Sequence, residues 1–180
     1  MRDALLNLGT INFASTNLGA AGAVAFPDLV DLGVAGRDLG VGTQLVVECH
    51  VETDWAATAA FVSHFSLFTT NDTSTALTTQ VLAGSTQQLA SSGMIGNNAG
   101  AYVIAQPKAG LKVFMVIPPY PTFDRTATAD AQRDTPGRYL GVNVWSFPAV
   151  AGVVNVGTVS ARVITWPAAW KAYAVGADLH

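Results

Sequence analysis

The chain has 180 residues, of which 50% are hydrophobic and only 12% charged, with a net charge of -3. That length suits one β-sandwich or barrel around a single core and argues against two domains. Ordinary globular domains carry roughly a quarter charged residues, so this composition points to a surface that meets other protein, while the scattered Lys and Arg form no basic stripe for nucleic acid or anionic lipid.

Residues 1–27 hold Leu5, Leu6, Leu8, Ile11 and Phe13 without a clear period. They read as an extended arm lying on a neighbouring subunit or as a first strand, with one short strand before Pro27. The stretch from Val30 to Gly42 carries four glycines and two Asp-Leu-Gly triplets, in which the carboxylate can cap its own turn. It feeds a strand that alternates after Gly42, with Leu45, Val47, Cys49 and Val51 on one face and Gln44, Glu48, His50 and Glu52 on the other. Cys49, the one cysteine, falls on the apolar face and reads as a small buried hydrophobe.

Further strands are expected over Thr58–Phe68, Thr78–Leu82, Ala101–Gln106, Leu111–Ile117, Arg138–Phe147 and Val153–Trp166. Inward sets are Phe61, Phe65 and Leu67, then Leu111, Val113, Met115 and Ile117, then Val159, Ala161 and Val163. The stretches 69–79 and 90–100 are polar or Gly-rich and read as exposed loops. Number and spacing favour an all-β, antiparallel two-sheet β-sandwich. The apolar window from Leu140 to Val159 is broken by Asn143, Ser146, Pro148 and Asn155, so it reads as two strands rather than a membrane span, and no secretory signal is visible.

Chemical signatures are sparse. Glu48, His50 and Glu52 share a strand face with adjacent members roughly 7 Å apart, which is loose for one metal ion, so the trio reads as a solvated or interface face. His50-Val51-Glu52 lacks the Pro-Cys-x-x-Cys partner of zinc deaminases. Gly40-Val41-Gly42 precedes a strand and is not a phosphate cradle, no Gly-x-Ser-x-Gly elbow exists, and Cys49 and His64 have no electropositive setting for a thiolate. The expectation is a protein that is not an enzyme and has neither metal nor cofactor.

Two regions suggest contacts instead. Asp124, Arg125, Asp130, Arg133, Asp134 and Arg138 crowd one short stretch, which reads as a solvated loop or, alternatively, as intersubunit pairs that fix register. Trp166, Trp170 and Tyr173 place large amphipathic rings near the C-terminus, a composition enriched in interfaces; the plainer reading, preferred for these rings, is that they close the sandwich.

The double Asp-Leu-Gly element around Arg37-Asp38, the Pro118-Pro119 segment, Arg138-Tyr139-Leu140-Gly141-Val142-Asn143-Val144 and the tail from Trp166 to Tyr173 occur in a telling order. Together they resemble the capsid cement (decoration) proteins of tailed phages, of the Bordetella phage cement protein type; Gly19 to Pro27 departs from that pattern. The resemblance implies a jelly-roll domain over 28–180 with extended terminal arms, while residues 1–27 read as an extended arm or first strand from their own composition and not from the resemblance. It also implies a homo-oligomer, dimer or trimer, assembled in the host cytoplasm and bound to the major capsid protein on the outer surface of the virion. Candidate capsid or intersubunit contacts are Leu5, Leu6, Phe13, Arg37, Asp38, Asp124, Arg125, Arg133, Asp134, Trp166, Trp170 and Tyr173. The rival reading is a carbohydrate-binding jelly roll, a virion adhesin, using Tyr139, Asn143 and Trp145, which share one strand face.

Overall fold

A computed structural model describes residues 6–16, 18–19, 22–33, 45–82, 86–97, 105–118, 137–146 and 153–165. Its strands are β1 (Asn7–Asn12), β2 (Ala23–Ala25), β3 (Val30–Asp31), β4 (Leu45–Ala57), β5 (Val62–Thr70), β6 (Gln87–Ser91), β7 (Ile95–Gly96), β8 (Lys112–Val116), β9 (Tyr139–Ser146) and β10 (Val154–Thr165), with one helix, α1 (Leu77–Leu82), after β5. They form two antiparallel sheets. The first runs β1-β10-β4-β8; the second runs β2-β9-β5-β6, with β3 also on β9 and β7 also on β5.

Counting β2 with β3 and β6 with β7, since each pair lies along one neighbour, leaves eight strands. The first sheet is then first-eighth-third-sixth and the second is second-seventh-fourth-fifth, the order that two nested Greek keys produce in a jelly roll. This all-β sandwich places the chain's early and late strands side by side in both sheets.

Period-two alternation builds the core. Val47, Cys49 and Val51 of β4, Val113 and Met115 of β8, Val159, Ala161 and Val163 of β10, and Phe65 and Leu67 of β5 all enter one buried cluster with Val142 and Val144 of β9. Phe61 and Ile117, just outside their strands, join it. At one end Trp55 packs edge-on to Phe13 at 4.7 Å and to Phe65 at 6.0 Å between ring centres.

Residues 7–12 and 23–25 are strands of the two sheets rather than a free arm. Their pattern hides from a period search because Gly9 sits at φ +90 in a β-bulge, where β1 spends two residues against one step of β10. Leu8 and Ile11, three apart, therefore both point inward.

The expectation of a strand over Thr78–Leu82 is corrected: those residues belong to α1. Val81 of α1 covers Phe68 and Ala23 on the outer side of the second sheet, so burial of this one apolar side chain outweighs the β preference of the threonines. The stretches 69–79 and 90–100 are likewise not wholly loop, since they include the end of β5, the start of α1, the end of β6, and β7. Of the strand expected over Ala101–Gln106, only residues 105–106 are described, and Ala105 makes a single parallel bridge to Ile95.

Candidate functional site

The outward side chains of the first sheet form two kinds of row. In the polar row, Glu48 of β4 lies opposite Arg162 of β10 and Phe114 of β8. Its carboxylate accepts from both Arg162 Nε (2.9 Å) and a second guanidinium nitrogen, and from Lys112 Nζ at 3.2 Å. Only 4% of Glu48 is exposed, although it points away from the core. Burial pushes its pKa up, but the bonds from Arg162 and Lys112 together outweigh that and leave it below the ordinary value. One carboxylate thus ties three strands together, and it is not free to bind a metal.

The neighbouring row is apolar: Ile164, Val46 and Val116 face one another across β10, β4 and β8. Val116 is 40% exposed, while Val46 is fully buried and belongs to neither buried cluster. A jelly-roll sheet has no need of apolar residues on this side to make its core. The signal was present in sequence as the adjacent Val46-Val47 pair, which breaks a strict alternation.

The outer face of the second sheet is closed differently. Phe68, Ala23 and Val81 make a small second cluster joined by Leu29 and Trp145, with α1 as its lid. Gly141, opposite Phe68 in the ladder, leaves room for that ring, since a Cβ there would overlap Phe68 Cζ. Tyr139, Asn143 and Trp145 do share this face, yet Asn143 is only 1% exposed. In the amide orientation that satisfies both neighbours, it donates to the Ser66 carbonyl (2.9 Å) and accepts from Trp145 Nε1 (2.6 Å).

The first Asp-Leu-Gly triplet behaves as its sequence suggests. Asp31 Oδ1 accepts from the Gly33 amide at 2.8 Å, and Gly33 takes φ +81. Arg138 grips the same carboxylate through Nε (2.9 Å) and Nη2 (2.8 Å) while lying 5.1 Å from the Tyr139 ring centre. Those bonds from Arg138 hold the Asp31 carboxyl down to about 2. Arg138 is therefore engaged within its own chain.

Of the candidate contact residues, Leu6 lies just before β1 and is 36% exposed. Phe13 is corrected: it is fully buried against Trp55, so it belongs to the core and not to a surface. Leu5, Arg37, Asp38, Asp124, Arg125, Arg133, Asp134, Trp166, Trp170 and Tyr173 lie outside the described residues.

Among the described residues no group of His, Cys, Asp and Glu is placed to hold a metal ion. Cys49 is buried, which pushes its thiol well up, and it points into the core from the first sheet, whereas His64 lies on the outer face of the second. The two cannot form a nucleophile and base. No helix among the described residues is long and apolar enough to cross a membrane.

Among the described residues lies an open cleft of about 600 Å³ between residues 25–29, the end of β2 and the β2–β3 connection, and residues 73–78 leading into α1. Its second wall is rigidly built. Gln80, 2% exposed, donates through Nε2 to the carbonyls of Asp72 (2.9 Å) and Thr75 (2.7 Å) and accepts from Thr70 Oγ1 (2.7 Å). Asp72 Oδ1 in turn accepts from Ser74 N, Ser74 Oγ and Thr75 N. Compared with known proteins, the chain matches no protein-family model and no curated protein sequence, so any function rests on this geometry and on the order of its sequence motifs.

Proposed function

We propose that the protein is a non-enzymatic virion structural protein, a capsid cement subunit that self-associates and binds the outer surface of a phage head, bridging capsomers of the major capsid protein. The observation that carries this reading is the apolar Ile164–Val46–Val116 row on the outer face of the first sheet, in a chain with only 12% charged residues. Val116 is exposed and Ile164 partly so at the two ends of that row, and apolar area presented outside the core is what a subunit suited to assembly contributes. The ordered resemblance from Val30 onward supports the same reading.

Physically, such a subunit works by linkage. It binds the assembled shell and not the separated capsomers, so each bound copy stabilises the shell against heat or internal pressure. Several modest contacts around one oligomer then act together through effective concentration. The carbohydrate-binding alternative loses support from Asn143, whose amide is spent on Ser66 and Trp145.

The test is cosedimentation with phage heads stripped of decoration, followed by heating of the heads. Saturable binding at a fixed ratio per major capsid subunit, with heads that open at higher temperature, is the expected result. A monodisperse monomer left in the supernatant would overturn the reading.

A further inference from the structure

We infer that the cation pair Arg162 and Lys112, together with the apolar row beside it, forms a docking site for a partner segment that carries a carboxylate close to an aliphatic side chain. This deepens the capsid-contact reading and rests on it for the identity of the partner. Two cations share one carboxylate here. Glu48 accepts from Nε and Nη2 of Arg162 and from Nζ of Lys112, so the three groups together keep one positive charge on the outer face of the first sheet. Those bonds occupy two of the five guanidinium N–H donors and one of the three ammonium donors. Both cationic side chains stay partly exposed, whereas the Glu48 side chain that holds them is buried. An incoming carboxylate therefore meets two cations already fixed by a buried anchor, and ordering them costs little further entropy.

The neighbouring row selects a protein segment over a free anion or a nucleic acid. Ile164, Val46 and Val116 lie two residues along their strands from Arg162, Glu48 and Phe114, about 7 Å away on the same outward side. Val116 is exposed and Ile164 partly so, and a ligand seated on the cations from that side also covers apolar surface. A phosphate ion or a nucleic acid backbone brings charge without aliphatic area. An extended peptide with Val and Glu two positions apart presents both on one side at the same spacing of about 7 Å. Away from the apolar row the face continues through His50 and Ser160, and Glu52, the next acidic residue of β4, lies beyond them. The positive charge is thus concentrated at the border of the apolar row, where apolar burial supplies affinity and the charge pair fixes register.

The test needs no phage heads, so its failure and that of the capsid reading are separable. Isotope-labelled protein is titrated with acetyl-Val-Ser-Glu-Ser-Val-amide, with its Gln counterpart and with inorganic phosphate, following backbone amide shifts. The expected result is saturable movement at residues 46–48, 112–116 and 162–164 with the Glu peptide. Affinity should fall about two- to fivefold for the Gln peptide and in Lys112→Gln, and be kept in Lys112→Arg. Lys112 is exposed and its loss leaves Glu48 paired with Arg162, and superimposable spectra of the free variants verify that the fold is kept. Absent or non-saturating shifts, equal affinity for the Glu and Gln peptides, unchanged affinity in Lys112→Gln, or phosphate shifts that match the peptide's at Val116 and Ile164 would overturn the inference. Stripped heads that bind the protein while the peptide does not would overturn it too, and leave the capsid contact in place.

Discussion

Glu48 pairs with two cations through one carboxylate, which is nearly buried while Arg162 and Lys112 keep about a third to a half of their side-chain surface. Removing the charge leaves two cations that can still reach water, so the cost is smaller than for a fully buried pair. Glu48→Gln is expected to lower stability by about 1–2 kcal/mol near neutral pH. The sign of its pH dependence follows from the direction of the shift. A carboxyl whose folded-state pKa lies below its ordinary value of 4.5 stabilises fully above that value and stops doing so as pH falls through the lower, folded one. Denaturant unfolding of both proteins at about pH 7 and about pH 3 should therefore show a gap that narrows in acid. A gap that stayed constant would mean that the side chain's volume, and not its charge, matters. Alternation placed this carboxylate on the outward face in sequence; its burial was not legible, because that depends on two cations 64 and 114 residues further on.

Helix α1 shows at the scale of an element how packing overrides local preference. Its six residues, Leu-Thr-Thr-Gln-Val-Leu, are too few to hold a helix in isolation and rich enough in β-branched side chains to read as a strand. What holds them is Val81 on Phe68 and the buried Gln80 amide bonded back to the preceding loop, both long-range or non-periodic signals that a pattern search does not see. Strands β4, β8 and β9, and β10 from Val159 onward, were legible because their inward residues alternate, whereas β1 was not, because the Gly9 bulge turns a spacing of two into three. Gly141 is the hinge of this account: a larger residue there would displace the Phe68 ring on which α1 rests. Gly141→Val is expected to cost about 2–3 kcal/mol through overpacking. Hydrogen exchange should rise first in residues 77–82 and leave β4 and β10 protected. Uniform loss of protection would show instead that α1 and the sheets open as one unit.

A jelly roll whose core is complete without the outer rows is free to spend those rows on partners, and the whole molecule's composition indicates which force such partners exploit. With a net charge of -3 and few charged residues, long-range steering is weak. The described ion pairs, Asp31 with Arg138, Asp54 with Lys108, and Glu48 with Arg162 and Lys112, are all closed within the chain. If the proposed capsid contact rests on apolar area such as the Ile164–Val46–Val116 row, its affinity should be nearly indifferent to screening, since salt weakens exposed charge pairs and not apolar burial. Raising NaCl from about 50 mM to about 500 mM should then change the dissociation constant for stripped heads by less than about fivefold, and calorimetry should show a negative heat-capacity change on binding. Weakening of about tenfold or more would shift the contact to charged groups, and the region from Asp124 to Asp134 would become the first to mutate. In sequence that region reads as a solvated loop, with intersubunit pairs as the alternative, and salt dependence tests that alternative against apolar burial because only charge pairing depends on Coulombic attraction across an aqueous rim.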